Sequence, residues 1–70
     1  LNSVGQADEG LTALGRAELA APQDPRIPYA SATILHGIRR TSEARKAARR
    51  ALQIDPRYGP AVEFLQALPD

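Results

Sequence analysis

The most informative segment of the chain is residues 42–56, which read SEARKAARRALQIDP. On a helix that turns about 100° per residue, its alanines, leucine and isoleucine share one half of the surface, and its basic residues share the other. Thr41 or Ser42 suits the N-cap, and Pro56 ends the helix because proline lacks an amide hydrogen and constrains the residue before it. The segment therefore predicts an amphipathic helix over residues 42–54, with alanine on its apolar face.

The same pattern occurs earlier in the chain, where Pro22, like Pro56, follows a segment of alanines and arginine. The pairs that are identical when the two segments are aligned on these prolines are Leu1/Leu35, Glu9/Glu43, Ala13/Ala47, Arg16/Arg50, Ala17/Ala51 and Pro22/Pro56. Their common offset falls within the range of roughly 20–50 residues that is typical of stacked repeats. We therefore expect an array of repeated helical units.

Periodicity and proline placement together predict four short helices and no strand. An apolar stripe with three- and four-residue steps runs through residues 6–21, and Pro22, Pro25 and Pro28 exclude helix from the segment that follows. Pro28 suits the first position of the next helix, and Gly37 marks the end of it. The expected fold is an all-α array of antiparallel helices at residues 6–21, 28–38, 42–54 and 60–68.

The composition indicates one small domain with a thin core and no catalytic chemistry. Hydrophobic residues make up 43% of the 70 residues, but thirteen of them are alanine, which buries little area. There is no cysteine, and His36 is the only histidine. Because no metal-ligand cluster and no nucleophile–base pair can be assembled from this set, we expect no metal, no cofactor, no catalytic residue and no enzymatic activity.

With these helices, turns and period, the chain resembles an array of tetratricopeptide repeats (TPR), in degenerate form. The small, apolar and proline positions that carry the resemblance are Ala32, Ala44, Ala51, Leu52 and Pro56, together with the segments 5–11 and 55–65. The departures, at which the family has larger apolar side chains, are Glu18, Pro28, Ser31 and Ala48. The resemblance implies a TPR-like α-solenoid segment with the end of one repeat (1–22), a complete repeat with its linkers (23–58) and the first helix of a further repeat (59–70).

The resemblance also implies a concave face lined by the first helix of each repeat. The residues expected on this partner-binding face are Arg26, Tyr29, Thr33, His36 and Glu63. An aromatic side chain among hydrogen-bonding neighbours suits a bound peptide. Tyr29 fits helix packing equally well, and His36 fits an ordinary polar surface position. The family's carboxylate clamp has lysine and asparagine where this chain has Tyr29 and Thr33, so an acidic C-terminal peptide of the chaperone type is not implied.

A basic face is expected on the outer, convex side. It comprises Arg45, Lys46, Arg49 and Arg50, which share one half of the third helix and should all face solvent. Such a face is either simply solvated or contacts an acidic protein, nucleic acid or anionic lipid. Because that helix carries no aromatic residue to stack on bases, nucleic acid is less favoured than an acidic protein.

An apolar end patch is expected on the fourth helix, which has apolar residues on more than one side. Its members are Val62, Phe64, Leu65 and Leu68. Because a terminal repeat needs a polar cap, we expect more of the parent chain, another protein or a second copy to cover this patch. A start at leucine rather than methionine suggests a processed chain or a piece of a longer one.

The predicted function is a non-catalytic protein–protein interaction or scaffolding segment, within a larger TPR-type protein or as a subunit of an assembly. One alternative is a basic helical module that docks on nucleic acid or an anionic surface. Another is the helical appendage of an enzyme whose catalytic domain lies elsewhere. No apolar run is long enough to span a bilayer, and arginine outnumbers lysine eight to one. These features suggest a soluble bacterial protein of the cytoplasm or periplasm.

Overall fold

Residues 4–68 are described by a computed structural model, and they form four α-helices with no β-strand. The helices are α1 (Val4–Ala20), α2 (Arg26–Gly37), α3 (Thr41–Ile54) and α4 (Gly59–Ala67). Each helix packs on the next one along the chain. The connections contain only three to five residues, a length typical of antiparallel neighbouring helices. The predicted all-α helical array is confirmed; Leu1 and the outermost parts of the predicted domain ranges (1–3 and 69–70) lie outside the described residues.

Two of the four corresponding helix boundaries repeat at or near the interval that separates Pro22 from Pro56. α1 ends at Ala20 and α3 ends at Ile54, two residues before the respective proline in each case. The starts of α2 and α4, Arg26 and Gly59, are separated by one residue less than the two prolines are. The spacing of the prolines therefore corresponds to a spacing of helix ends in the structure.

Two aspartates shape the turns that precede α2 and α4. Oδ1 of Asp24 accepts a hydrogen bond from the amide of Arg26 at 3.0 Å, and Oδ1 of Asp55 accepts one from the amide of Arg57 at 3.0 Å. Each bond closes an Asx turn across an intervening proline. α2 consequently begins two residues before its expected start, and Pro28 still lies in the first turn, where its missing amide leaves no helical bond unmade.

The core consists mainly of alanine. Its buried cluster comprises Ala32, Leu35, Ala44, Ala47 and Ala48, and Leu11, Ile38, Phe64 and Leu65 pack against it while remaining partly exposed. Ala51 and Ala61 are also fully buried. The prediction that alanines form the apolar face of the third helix is confirmed, since Ala44, Ala48 and Ala51 are all buried there. Because a face of alanines has little side-chain volume, it suits a close approach of helix backbones, and Leu35 is the only large side chain inside the cluster.

Three of the four residues at which the TPR resemblance leads to an expectation of larger apolar side chains are buried, and these are Pro28, Ser31 and Ala48. Two of these buried positions, Ser31 and Ala48, carry small side chains, which contribute little volume to the core. The fourth departure, Glu18, is half-buried and forms an ion pair with Arg50 of α3.

Gly10 of α1 lies close to the side chain of Ile34 on α2. A Cβ atom at this position would lie 3.2 Å from Cδ1 of Ile34, whereas a Cβ at Gly15, on the same helix, would meet nothing within 4 Å. Gly15→Ala should therefore raise the free energy of unfolding by about 0.5–1 kcal/mol through helix propensity alone. Gly10→Ala should gain less, because Ile34 must shift to admit the new methyl group. Urea denaturation of both variants checks the difference, and equal gains would show that the α1–α2 contact is looser than described.

α2 ends in a turn whose left-handed residue is an arginine. Arg39 has a φ of 66°, and no other non-glycine residue within 4–68 has a positive φ. The amide of Arg40 donates to the carbonyl of Leu35 at 2.9 Å, and the amide of Arg39 donates to the carbonyl of His36 at 3.0 Å. These are the two bonds of a Schellman motif. Gly37, expected at the helix end, is the last helical residue, and the left-handed position two residues later carries a side chain.

Arg39→Gly should raise the free energy of unfolding by about 1 kcal/mol, because glycine adopts the left-handed conformation without a steric cost. Arg39→Ala is the matched control, since it removes the charge and keeps a Cβ at the strained position; its stability should stay within about 0.5 kcal/mol of the parent. Chemical denaturation of the three proteins measures both effects. A gain for both variants would mean that the charge, rather than the backbone conformation, is unfavourable.

Candidate protein-binding surfaces

An aromatic cluster joins α2, α4 and the turn before α4. The ring centroid of Tyr29 lies 5.6 Å from that of Tyr58 and 6.0 Å from that of Phe64. The ring centroid of His36 lies 5.7 Å from that of Phe64. All three pairs meet edge to face, the arrangement that the charge distribution of aromatic rings favours.

The periodicity of α2 explains why one ring can contact two others. Tyr29 and His36 are separated by about two helical turns, so their side chains leave the same face of α2. Phe64 of α4 contacts both of them. The cluster, defined as Tyr29, His36, Tyr58 and Phe64, therefore ties α2 to the end of the array that α4 forms.

The other residues expected on the concave face differ in their contacts. Thr33 is exposed, and its Oγ1 donates to the carbonyl of Ala30 at 2.8 Å, within its own helix. His36 and Glu63 are exposed, whereas Tyr29 is half-buried. The structure therefore brings Tyr29 and His36 together around Phe64. Tyr29 packs between helices, as one interpretation expected, and the residue also remains partly accessible to solvent. Sequence reasoning did not identify Tyr58 as part of this surface, although it closely precedes the proline that opens α4.

Arg26 lies at the start of α2 and is paired with Asp24. Its Nη2 is 2.8 Å from Oδ2 of Asp24, and its Nε donates to Oδ1 at 3.0 Å. These side-chain bonds, and then the backbone bond from the Arg26 amide, hold the pKa of Asp24 below its ordinary value. The same side-chain bonds raise the pKa of Arg26. Because the folded-state pKa of Asp24 is depressed, its contribution to stability is present at neutral pH and is lost as the pH falls below about 4.

The four basic residues of α3 do not have one common environment. Lys46, Arg49 and Arg50 are exposed, and Arg45 is half-buried. Nη2 of Arg50 lies 3.0 Å from Oε1 of Glu18, which links α3 to α1. Lys46 and Arg49 form no ion pair with any residue between 4 and 68. Within the basic face, Arg50 therefore links two helices, whereas Lys46 and Arg49 carry charges with no ion-pair partner among residues 4–68.

Charge reversal should distinguish the two kinds of residue. Arg50→Glu should lower the free energy of unfolding by about 1 kcal/mol, because it breaks the pair with Glu18 and puts two carboxylates together. Arg49→Glu, the same change one residue earlier, should alter it by no more than about 0.5 kcal/mol. Thermal denaturation at low and high salt measures the difference, which added salt should reduce. An equal loss for both variants would contradict the assigned role of Arg50.

The expected apolar end patch is partly covered by the chain itself. Val62, Phe64, Leu65 and Leu68 are all half-buried, and Phe64 and Leu65 pack against the core. Among the described residues, the large apolar side chain that is most open is Leu19, with 86% of its surface exposed. Leu19 lies outside the apolar stripe of α1. A large apolar residue outside such a stripe is expected to be exposed, and sequence reasoning overlooked this signal.

Two other features, a metal-ligand cluster and a membrane-spanning helix, are not found in the part of the chain that the structure describes. Residues 4–68 contain no group of three or more side chains placed to hold a metal ion. Nor does any helix there combine the length and apolar composition needed to cross a membrane. In comparisons with known proteins, no family model, curated protein or solved structure matches the chain. The likeness to TPR arrays therefore rests on the residues and helix spacing given above.

Proposed function

We propose that the chain is a non-catalytic protein-interaction segment of TPR type, within a larger array or as a subunit of an assembly, and that α2 and α4 line its binding surface. The observation that carries the proposal is the aromatic cluster, in which rings of α2 and α4 are held edge to face beside exposed polar groups. The ends of α1 and α3, which are separated by the interval between the two prolines, support the TPR assignment. The openness of Leu19 suits an array that continues past these helices.

The cluster has the physical properties of a peptide-binding surface. Tyr29 is fixed by two ring neighbours, so a ligand that packs against its exposed part orders few side chains on binding. His36 and Glu63 are exposed on α2 and α4, where they can hydrogen-bond the backbone of an extended peptide. The arrangement therefore favours a short peptide in which one apolar side chain packs against the aromatic rings and the flanking groups are polar.

Peptide binding followed by nuclear magnetic resonance tests the proposal. The labelled 70-residue chain is titrated with short peptides grouped by charge and by the presence of one aromatic or aliphatic side chain. Peptides with an apolar residue should bind with a Kd below about 1 mM and shift the amide signals of residues 29–36 and 61–64. Absence of binding by every peptide class, or shifts confined to α3, would contradict the proposal.

A double variant and a matched control make the assignment specific. His36→Ala combined with Glu63→Ala removes two exposed groups of the surface and should weaken binding by about fivefold or more. Gln53→Ala, at an exposed position on α3, should leave affinity unchanged. Circular dichroism of both proteins before titration shows that the helices are intact.

A further inference from the structure

We infer that the outward face of α3 is a second docking surface, which takes an acidic, polar segment of another protein. This surface consists of Lys46, Arg49 and Arg50 and lies on a different helix from the aromatic cluster. The inference does not depend on the proposed peptide-binding role of α2 and α4. It rests on charge, exposure and the way α3 is held in the core.

The positive charge of this face is uncompensated within α3. Glu43 is the only acidic residue of that helix, and it lies beside Arg40 at 3.9 Å, before the basic stretch. From residue 44 to residue 54 the helix has four cations and no anion. Only Arg50 among the three exposed cations has a carboxylate partner within residues 4–68. An acidic segment supplies carboxylates for the remaining cations.

The cations are spaced to meet carboxylates on a regular partner. Lys46, Arg49 and Arg50 occupy positions i, i+3 and i+4, so Lys46 and the two arginines lie about one turn apart along the helix axis, roughly 5 Å. Carboxylates three or four residues apart on a partner helix have the same spacing. The opposite face of α3 is buried at Ala44, Ala47, Ala48 and Ala51, so the three cations lie together on the side of the helix that faces away from the core.

The chemistry of the face favours acidic protein over nucleic acid. α3 contains no aromatic residue on which a base could stack. The net charge of the whole chain is only +1, whereas domains that bind nucleic acid through phosphates are typically strongly basic. The face of α3 also exposes no large apolar side chain, so its partner is polar as well as acidic.

Fluorescence anisotropy with a labelled decaglutamate peptide tests the inference on the intact 70-residue chain. Decaglutamate should bind at low salt, and raising NaCl from about 25 to about 200 mM should weaken binding by about tenfold or more. Decaglutamine of the same length is the neutral control and should not bind. Single-stranded and duplex DNA are measured under the same conditions.

Two double variants with equal net charge separate a specific face from bulk charge. Lys46→Glu with Arg49→Glu should weaken decaglutamate binding by about tenfold or more, and the fold should persist because both side chains are exposed. Arg39→Glu with Arg57→Glu, at exposed positions in turns, should weaken it by less than about threefold. Lys46→Gln with Arg49→Gln repeats the test without introducing repulsion, and should also weaken binding.

Three results would overturn the inference. The first is an equal loss of binding in the two charge-reversed variants, which would indicate bulk electrostatics. The second is tighter binding of DNA than of decaglutamate at the same salt, which would make the face a nucleic-acid surface. The third is the absence of decaglutamate binding at low salt.

Discussion

Leu35→Ala is expected to lower the free energy of unfolding by about 2–4 kcal/mol. Leu35 is 8% exposed and is the only large side chain within a cluster otherwise made of alanine. Truncation removes its buried methyl groups and leaves a cavity. The side chains of the neighbouring alanines are too short to fill this cavity. A domain of this size has little stability to lose, so the variant should be largely unfolded at about 37 °C.

The matched control for this substitution is Leu19→Ala. The chemical change is identical, but Leu19 is 86% exposed, so the free energy of unfolding should change by no more than about 0.5 kcal/mol. Circular dichroism followed during urea denaturation gives both values. A loss at Leu35 no greater than that at Leu19 would mean that the cluster around Leu35 is not the centre of the core.

Ala51→Leu is the second prediction with a large effect, a loss of about 1–3 kcal/mol through overpacking. Ala51 is fully buried on the face of α3 that carries the other buried alanines. A leucine there has to displace a neighbouring helix or adopt an unfavourable rotamer. The cost therefore measures how closely the backbones approach at this face.

Ala13→Leu supplies the comparison for Ala51→Leu, because Ala13 is an exposed position in the middle of α1. Its stability should stay within about 0.5 kcal/mol of the parent chain, since leucine is also a good helix former. Thermal denaturation of the two variants measures the difference. If Ala51→Leu melts at the temperature of the parent, the assignment of Ala51 to a close helix contact is wrong.

Local pattern was enough to predict the helices. Every predicted helix boundary lies within two residues of the observed one, because proline and a three- to four-residue apolar period act within a turn or two of the chain. The burial of Ala44, Ala48 and Ala51 follows from the same periodicity. The expected N-cap of the third helix, Thr41 or Ser42, is wrong: Arg40 holds that position and makes no side-chain capping bond. No pattern in the sequence indicated the left-handed residue of the α2–α3 turn, which is Arg39, since the turn is held by backbone bonds that any residue type can form.

Contacts between distant parts of the chain were not predictable in the same way. The Glu18–Arg50 pair joins residues 32 positions apart, and its formation depends on where α1 and α3 are each placed against α2. Phe64 was expected to contribute to an uncovered apolar patch, yet it contacts Tyr29 and His36 and is half-buried. That outcome depends on the placement of α4 against α2, which no pattern within α4 specifies.

The aromatic cluster gives the chain an intrinsic spectroscopic probe of its folding. There is no tryptophan, and the two tyrosines of the sequence, Tyr29 and Tyr58, are in contact with each other. Tyrosine absorbance and emission therefore report on one junction, the place where α4 and the turn before it meet α2, while far-ultraviolet ellipticity reports on all four helices. In a linear array the terminal element can separate before the rest unfolds. Detachment of α4 alone would then change the tyrosine signal while most of the helical signal remained, so the two spectra recorded on one sample resolve the order of unfolding without any added label.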